Sequence, residues 1–119
     1  MKNIAKKHYQ TLKPDFEDLY IAVRQQEKRL YTDEQLQLLP DIDHIYYDEW
    51  KIRKRSSDRL INYLKGKRKY LKILEVGCGN GWLSAKLENI PNTKVTGIDI
   101  NKVEIEQANR VFKKENLEF

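Results

Sequence analysis

The stretch ILEVGCGNG, residues 73–81, decides the fold of this chain. An apolar strand over residues 73–77 runs directly into three glycines at alternate positions, and the amphipathic segment WLSAKL, residues 82–87, follows at once. Glycine lets the chain turn sharply with positive φ and lets a ligand approach the backbone without a Cβ in between. The helix after the turn offers unpaired N–H groups at its start. The pattern therefore predicts a strand-to-helix turn that binds a ligand.

The spacing of the glycines separates two classes of cofactor. Dinucleotide-binding proteins have G-x-G-x-x-G/A, whereas Gly77, Gly79 and Gly81 form G-x-G-x-G and Trp82 stands at the sixth position. Tryptophan cannot replace the glycine on which close helix–strand packing depends. A nicotinamide-dependent oxidoreductase is therefore the less favoured alternative.

Together with Glu75 the loop reads E-x-G-x-G-x-G, which closely resembles motif I of the class I S-adenosylmethionine-dependent methyltransferases. The resemblance implies an α/β fold: a partial Rossmann-like parallel sheet of strands 1–3, preceded by an α-helical N-terminal extension. It also implies S-adenosylmethionine as the cofactor, with Glu75 orienting the methionine end. The loop residues that would pass beneath the cofactor are Gly77, Cys78, Gly79, Asn80 and Gly81.

A second apolar strand, residues 94–99, ends in Asp99 about 20 residues after the glycines, where carboxylates bind ribose in such folds. We expect Asp99 to accept hydrogen bonds from both ribose hydroxyls. The family resemblance places Ile100 against the adenine. The alternative is that Asp99 caps the helix that begins near Lys102, a role that Asn101 can also fill.

Other reactive side chains point to no further chemistry. Cys78 has no histidine nearby in sequence, which favours a small packed side chain over a nucleophile. His44 is isolated in a connector and is typical of a surface or capping residue rather than a general base. The sequence therefore identifies neither a catalytic base nor a metal site.

Length and composition set limits on the class of protein. The 119 residues carry a net charge of +5 and one cysteine, which excludes an intrachain disulfide. The start, MKNIAKK, lacks the apolar run of a signal peptide or membrane span, which predicts a cytoplasmic location and no membrane association. We predict a helical extension over residues 1–66 and a cofactor-binding part over residues 67–119.

The resemblance covers roughly the last two-fifths of the chain. We predict a helix over residues 81–89, a helix over residues 102–115 and a third strand at residues 117–119. The family's domain has seven strands, and this sequence supplies three. We therefore expect this chain to be the N-terminal part of a longer bacterial enzyme and to be inactive by itself. An unpaired strand edge would then favour self-association.

The residues before the loop predict helices. One should span Asp15–Tyr31, and Thr32–Gln35 has the form of a capping box that opens a short helix stopped by Pro40. After a connector over residues 41–50, a helix from Lys51 to Lys65 should end at Gly66. Its apolar residues should pack on the sheet: Ile52, Leu60, Ile61 and Leu64.

Aromatic and basic side chains in this extension have two interpretations each. By the family resemblance, Tyr46, Tyr47, Trp50 and Arg53 line the cofactor or acceptor pocket; core packing is the favoured alternative. The basic residues over 51–55 and 65–72 are compatible with nucleic-acid binding and equally with a solvated helix face. We expect a small-molecule methyl acceptor, with nucleic acid not excluded. A cofactor-binding or interaction module without catalysis is the competing function.

Overall fold

The computed structural model describes residues 16–119, and the chain divides into two compact units between Thr32 and Asp33. In the first unit, helix α1 covers residues 16–26. The helix predicted over Asp15–Tyr31 therefore ends earlier than expected, and Asp15 lies outside the described residues. The cause is Lys28, whose φ of 58° is incompatible with a continuing right-handed helix.

The second unit opens with helices α2, Asp33–Leu38, and α3, Tyr47–Gly66. The short helix predicted after Thr32 is confirmed, and it ends before Pro40. Helix α3 starts four residues earlier than Lys51, because the Trp50 N–H already donates to the Tyr46 carbonyl oxygen at 3.0 Å. The helix ends at Gly66 as predicted, although Lys67 after it still has helical dihedrals and the left-handed residue is Arg68, with φ of 48°.

Three parallel strands form the sheet in the order β1–β2–β3: Leu71–Val76, Thr93–Ile98 and Leu117–Glu118. Helix α4, Trp82–Glu88, connects the first two strands, and helix α5, Lys102–Val111, connects the last two. The partial Rossmann-like fold with a helical region before it is confirmed. In the pairing of β1 with β2, Val76 lies opposite Ile98, so both strands end at the same edge of the sheet.

Helix α5 is shorter than the predicted helix over residues 102–115. Phe112 leaves helical geometry with φ of −107° and ψ of 96°. Two residues later, the Lys114 ammonium group donates to the Ala85 carbonyl oxygen at 3.1 Å and to Asn89 Oδ1 at 2.7 Å. These bonds tie the connector to the end of α4, so a long-range contact sets the helix end.

The core lies on one face of the sheet. Leu87, Ile90 and Val95 are buried there, and the residues packed against them are Ile61, Leu64, Ile73, Leu83 and Leu117. The expected packing of α3 on the sheet is confirmed for Ile61 and Leu64. It is wrong for Ile52 and Leu60, whose side chains stay 64% and 40% exposed.

The opposite face of the sheet carries exposed apolar side chains. Leu74, Val76 and Ile98 point there, because side chains alternate along a strand. Strand β1 pairs with β2 on one side and with no other strand of the described residues on the other. Between residues 16 and 119, no helix is both long enough and apolar enough to span a bilayer.

Candidate cofactor site

The glycine loop, Gly77–Gly81, begins where β1 ends and is held against the end of β2. The N–H groups of Gly77 and Cys78 both donate to the Ile98 carbonyl oxygen, at 2.8 and 3.0 Å. The Gly81 N–H donates to the Cys78 carbonyl oxygen at 3.0 Å, which closes the turn before α4 begins. The loop therefore has a fixed backbone conformation at the carboxyl edge of the sheet, where open α/β sheets bind ligands.

The glycines of the loop meet different surroundings. Gly77 has φ of 74°, and a Cβ placed on it would meet no atom within 4 Å. Gly81 has φ of 81°, but a Cβ there would lie 2.6 Å from Cε1 of the Phe119 ring and 3.1 Å from the Ala108 Cβ. Gly77 thus leaves open space for a ligand, whereas Gly81 makes room for a side chain of the protein itself.

Asp99 joins the end of β2 to the loop. Its Oδ2 accepts a hydrogen bond from the Gly79 N–H at 2.8 Å, and its Oδ1 accepts one from the Asn101 N–H at 2.8 Å. The cap of α5 is Asn101, whose Oδ1 accepts from the Glu104 N–H at 3.1 Å. Asp99 is therefore not needed as the helix cap, and its carboxylate lies beside the loop.

Glu75 faces the first turn of α4. Its Oε1 accepts a hydrogen bond from the fully buried Ser84 hydroxyl at 2.5 Å. Burial raises the pKa of the Glu75 carboxyl and the Asp99 carboxylate raises it further, while the hydrogen bonds from Ser84 oppose these effects. The side chain is thus positioned by a buried partner at the base of the loop.

Cys78 is surrounded by acidic groups. Burial is the main cause that raises the pKa of its thiol to about 12, and Glu75, Asp99 and Glu104 add to it through their charges. A thiol with this pKa stays protonated at neutral pH, which gives no support to a nucleophilic role. Glu104 is buried and lies next to Gly79. Three carboxyl groups therefore surround one short loop.

The remaining predicted site residues lie at the edges of the loop. Asn80 Oδ1 accepts a hydrogen bond from the Trp82 N–H at 3.3 Å, so this side chain supports the start of α4. Ile100 is 69% exposed directly after Asp99. An exposed aliphatic side chain at this place is available to cover a flat apolar ligand group.

The predicted pocket walls from the extension differ in burial. Trp50 is buried and packs edge-on against Trp82, with ring centroids 5.2 Å apart. The Arg53 guanidinium lies 4.8 Å from the Trp50 ring centroid. Tyr47 is exposed, and the Lys51 ammonium group lies 5.7 Å from the centre of its ring. These contacts favour packing for Trp50 and place the start of α3 beside the helix that follows the loop.

Sequence reasoning missed three residues of the site. Ser84 carries a usable signal, because a small hydroxyl in the first turn after the glycine loop can reach back to the motif acid. Glu104 follows the Asn101 cap by three residues, the spacing of a capping box, but its burial beside Gly79 depends on the tertiary fold. Nothing in the sequence indicates that the Phe119 ring fills the space at Gly81.

The model of the family described as "Methyltransferase domain" matches residues 73–119. Malonyl-[acyl-carrier protein] O-methyltransferase 1 of Ilyobacter polytropus is 39% identical over 64 residues, which cover 52% of this chain and 24% of the relative. Malonyl-[acyl-carrier protein] O-methyltransferase of Acetivibrio thermocellus is 37% identical over 76 residues, which cover 61% of this chain and 27% of the relative. The chain thus spans about a quarter of the length of these relatives. No solved structure is significantly similar to this chain.

No group of His, Cys, Asp and Glu in the described part of the chain is arranged to hold a metal ion.

Proposed function

Because residues 73–119 belong to the class I S-adenosylmethionine-dependent methyltransferases, we propose that this part of the chain binds S-adenosylmethionine at the glycine loop. Glu75 orients the methionine end, the loop Gly77–Gly81 lies beneath it, and Asp99 with Ile100 holds the adenosine. Residues 67–119 are then the cofactor-binding part, and the complete activity is methyl transfer.

One observation carries this proposal: the three carboxyl groups around the loop, from Glu75, Asp99 and Glu104. S-Adenosylmethionine has a sulfonium and an ammonium group against a single carboxylate, so a negative field stabilises it. A dinucleotide would bring a pyrophosphate with two negative charges to the same loop, and like charges at this range repel. The charge around the loop therefore favours the methyl donor over NAD.

The geometry of Asp99 fits a ribose ligand. A carboxylate has about four acceptor sites, and the Gly79 and Asn101 N–H groups use one on each oxygen. The remaining sites can accept from two ribose hydroxyls without release of the backbone bonds. The open space at Gly77 would admit the ligand close to the backbone.

S-Adenosylmethionine, when bound, supplies an electrophilic methyl group on sulfur. The part of this chain is to position the cofactor and exclude water from it, and positioning accounts for much of the rate in such displacements. The similar proteins from Ilyobacter and Acetivibrio are named for methylating an oxygen of malonyl-[acyl-carrier protein]. We accordingly propose a carboxyl oxygen of a carrier-bound acyl group as the methyl acceptor.

Calorimetric titration of the 119-residue chain with S-adenosylmethionine, S-adenosylhomocysteine and NAD tests the cofactor assignment. We expect saturable binding of the first two and none of NAD. Asp99→Ala should weaken binding at least about tenfold, because hydrogen bonds to a charged group contribute about 1.5–3 kcal/mol each. The exposed Glu118, changed to Ala, is the matched control and should leave the affinity unchanged.

A second pair of measurements tests the role of charge. Glu75→Gln should weaken the binding of S-adenosylmethionine more than that of S-adenosylhomocysteine, because only S-adenosylmethionine has a positively charged sulfur. A folded chain that binds neither ligand, or that prefers NAD, would overturn the proposal. Methyl transfer to a malonyl-loaded carrier protein is tested on a longer chain that contains these residues, because we expect the 119 residues alone to be inactive. Cofactor binding without methyl transfer by that longer chain would instead favour a cofactor-binding module without catalysis.

A further inference from the structure

Positive charge is concentrated in one part of the chain. Residues 47–72, which are helix α3, the connector after it and the first two residues of β1, contain ten Lys or Arg against three Asp or Glu. The remaining residues contain thirteen against fifteen, so the net charge of +5 comes entirely from this segment. Two of the ten basic groups form ion pairs here: Arg53 with Glu49 at 2.7 Å and Lys54 with Asp41 at 2.5 Å.

Helix α3 has two distinct faces. Its inner face carries Trp50, Ser57, Ile61 and Leu64, which are buried or packed on the core at spacings of three, four and seven residues. The residues on the opposite side are exposed. We call them the outer α3 face: Ile52, Arg55, Arg59, Leu60 and Tyr63.

The outer α3 face combines charge with apolar area. Ile52 and Tyr63 are 64% and 63% exposed, and the two arginines lie between them along the helix. Arginine and tyrosine are, with tryptophan, the side chains enriched in the energetic centres of protein interfaces. Arginine and aromatic side chains together on one exposed face match the composition of protein interfaces.

The outer α3 face belongs to a helix that also contacts the candidate site. Trp50, on the inner side of α3, packs against Trp82, and Trp82 is the first residue after the glycine loop. Helix α3 has 20 residues and is about 30 Å long, so a partner that binds along it has one end at the turn that carries Trp50, beside the residue that follows the loop. Docking on this helix would place a tethered substrate near the methyl donor.

We propose that the outer α3 face docks an acidic protein surface, that of the carrier protein which presents the methyl acceptor. This inference rests on the proposed function for the identity of the partner, and on charge complementarity for the surface. A nucleic acid fits less well, because phosphate contacts use the arginines and base stacking can use Tyr63, but neither uses the aliphatic side chains of Ile52 and Leu60. A membrane surface fits less well too, because Arg55 and Arg59 interrupt the apolar residues that would enter the lipid.

The test measures binding of the chain to the malonyl-loaded acyl carrier protein of Ilyobacter polytropus by fluorescence anisotropy. The double variant Arg55→Glu/Arg59→Glu should weaken binding at least about tenfold, because reversed charges at a docking surface repel the partner. Lys94→Glu/Lys113→Glu makes the same change in net charge at exposed positions elsewhere, and we expect less than about a threefold effect. Ile52→Ser/Tyr63→Ser should also weaken binding, without any change of charge.

Two further ligands distinguish the classes of partner: a 20-nucleotide single-stranded RNA and vesicles that contain phosphatidylserine. Tighter binding of either, lost in the arginine variant, would overturn the inference in favour of that partner. Absence of carrier-protein binding, or equal effects of the arginine and lysine variants, would overturn it as well. Titration with S-adenosylhomocysteine separates the two proposals. If the wild-type chain does not bind this ligand, the result counts against the cofactor assignment. If the arginine variant binds it as tightly as the wild-type chain does, the cofactor site of that variant is intact.

Discussion

Replacing Gly81 by alanine should destabilise the second unit far more than the same change at Gly77. Both positions have positive φ, near 80° and 74°, so each alanine incurs about 1–2 kcal/mol of backbone strain. Only at Gly81 does the new methyl group overlap the Phe119 ring, and overpacking of this kind costs about 1–3 kcal/mol more. We expect a loss of about 3 kcal/mol for Gly81→Ala and about 1 kcal/mol for Gly77→Ala.

Urea unfolding followed by circular dichroism measures this difference, and calorimetry with S-adenosylhomocysteine supplies the second readout. Gly77→Ala should lose ligand affinity although it stays folded, because its methyl group enters the open space beside the loop. Gly81→Ala/Phe119→Ala should recover part of the stability lost in the single variant, as the ring is no longer there to collide with. Equal destabilisation at the two glycines, or no recovery in the double variant, would refute the reasoning.

Three further predictions concern titratable groups. Burial raises the pKa of Glu75 above its ordinary 4.5, so the folded state binds a proton more tightly than the unfolded state, and the associated stability is lost as pH rises above 4.5 through the folded-state pKa. Glu75→Gln should remove that part of the pH dependence of urea unfolding. Hydrogen bonds from Arg110 lower the pKa of Asp33 from 3.8 to about 2, so the ion pair contributes fully to stability above pH 3.8, and this contribution is lost as pH falls through about 2. In an NMR titration, Arg110→Gln should return the pKa of Asp33 towards 3.8. An unchanged pKa would contradict the assignment. With a pKa of about 12, Cys78 should react with iodoacetamide at pH 8 at least about 100-fold more slowly than free cysteine, until urea unfolds the chain.

The cofactor half of the fold was predictable because its signals are local. The glycine loop marks the end of β1 and the start of α4, and the predicted strand bounds differ from the structure by no more than two residues. Asp99 could be singled out because it ends the second apolar strand about 20 residues after the glycines. The Asn101 cap was likewise readable from residue type alone.

The rest depended on contacts between residues far apart in sequence. The end of α5 is set near Lys114, which binds the end of α4, and no local pattern reveals that bond. Apolar periodicity placed Ile52 and Leu60 in the core, although only Ile61 and Leu64 face it. The sequence could not show that Phe119, distant in the chain, is the reason for glycine at position 81.

The one-sided pairing of β1 has a consequence for amide hydrogen exchange. Successive N–H groups of a strand point to opposite edges, and on β1 those of Leu71 and Gly77 donate to the Asn92 and Ile98 carbonyl oxygens across to β2. By the same alternation the amides of Ile73 and Glu75 face β2 and should exchange slowly, whereas those of Lys72, Leu74 and Val76 face outward and should exchange fast. Any strand that pairs with this edge, from a second copy or from further chain, would protect exactly those three amides and no others on β1. The alternation along six residues thus reports directly whether the edge is occupied.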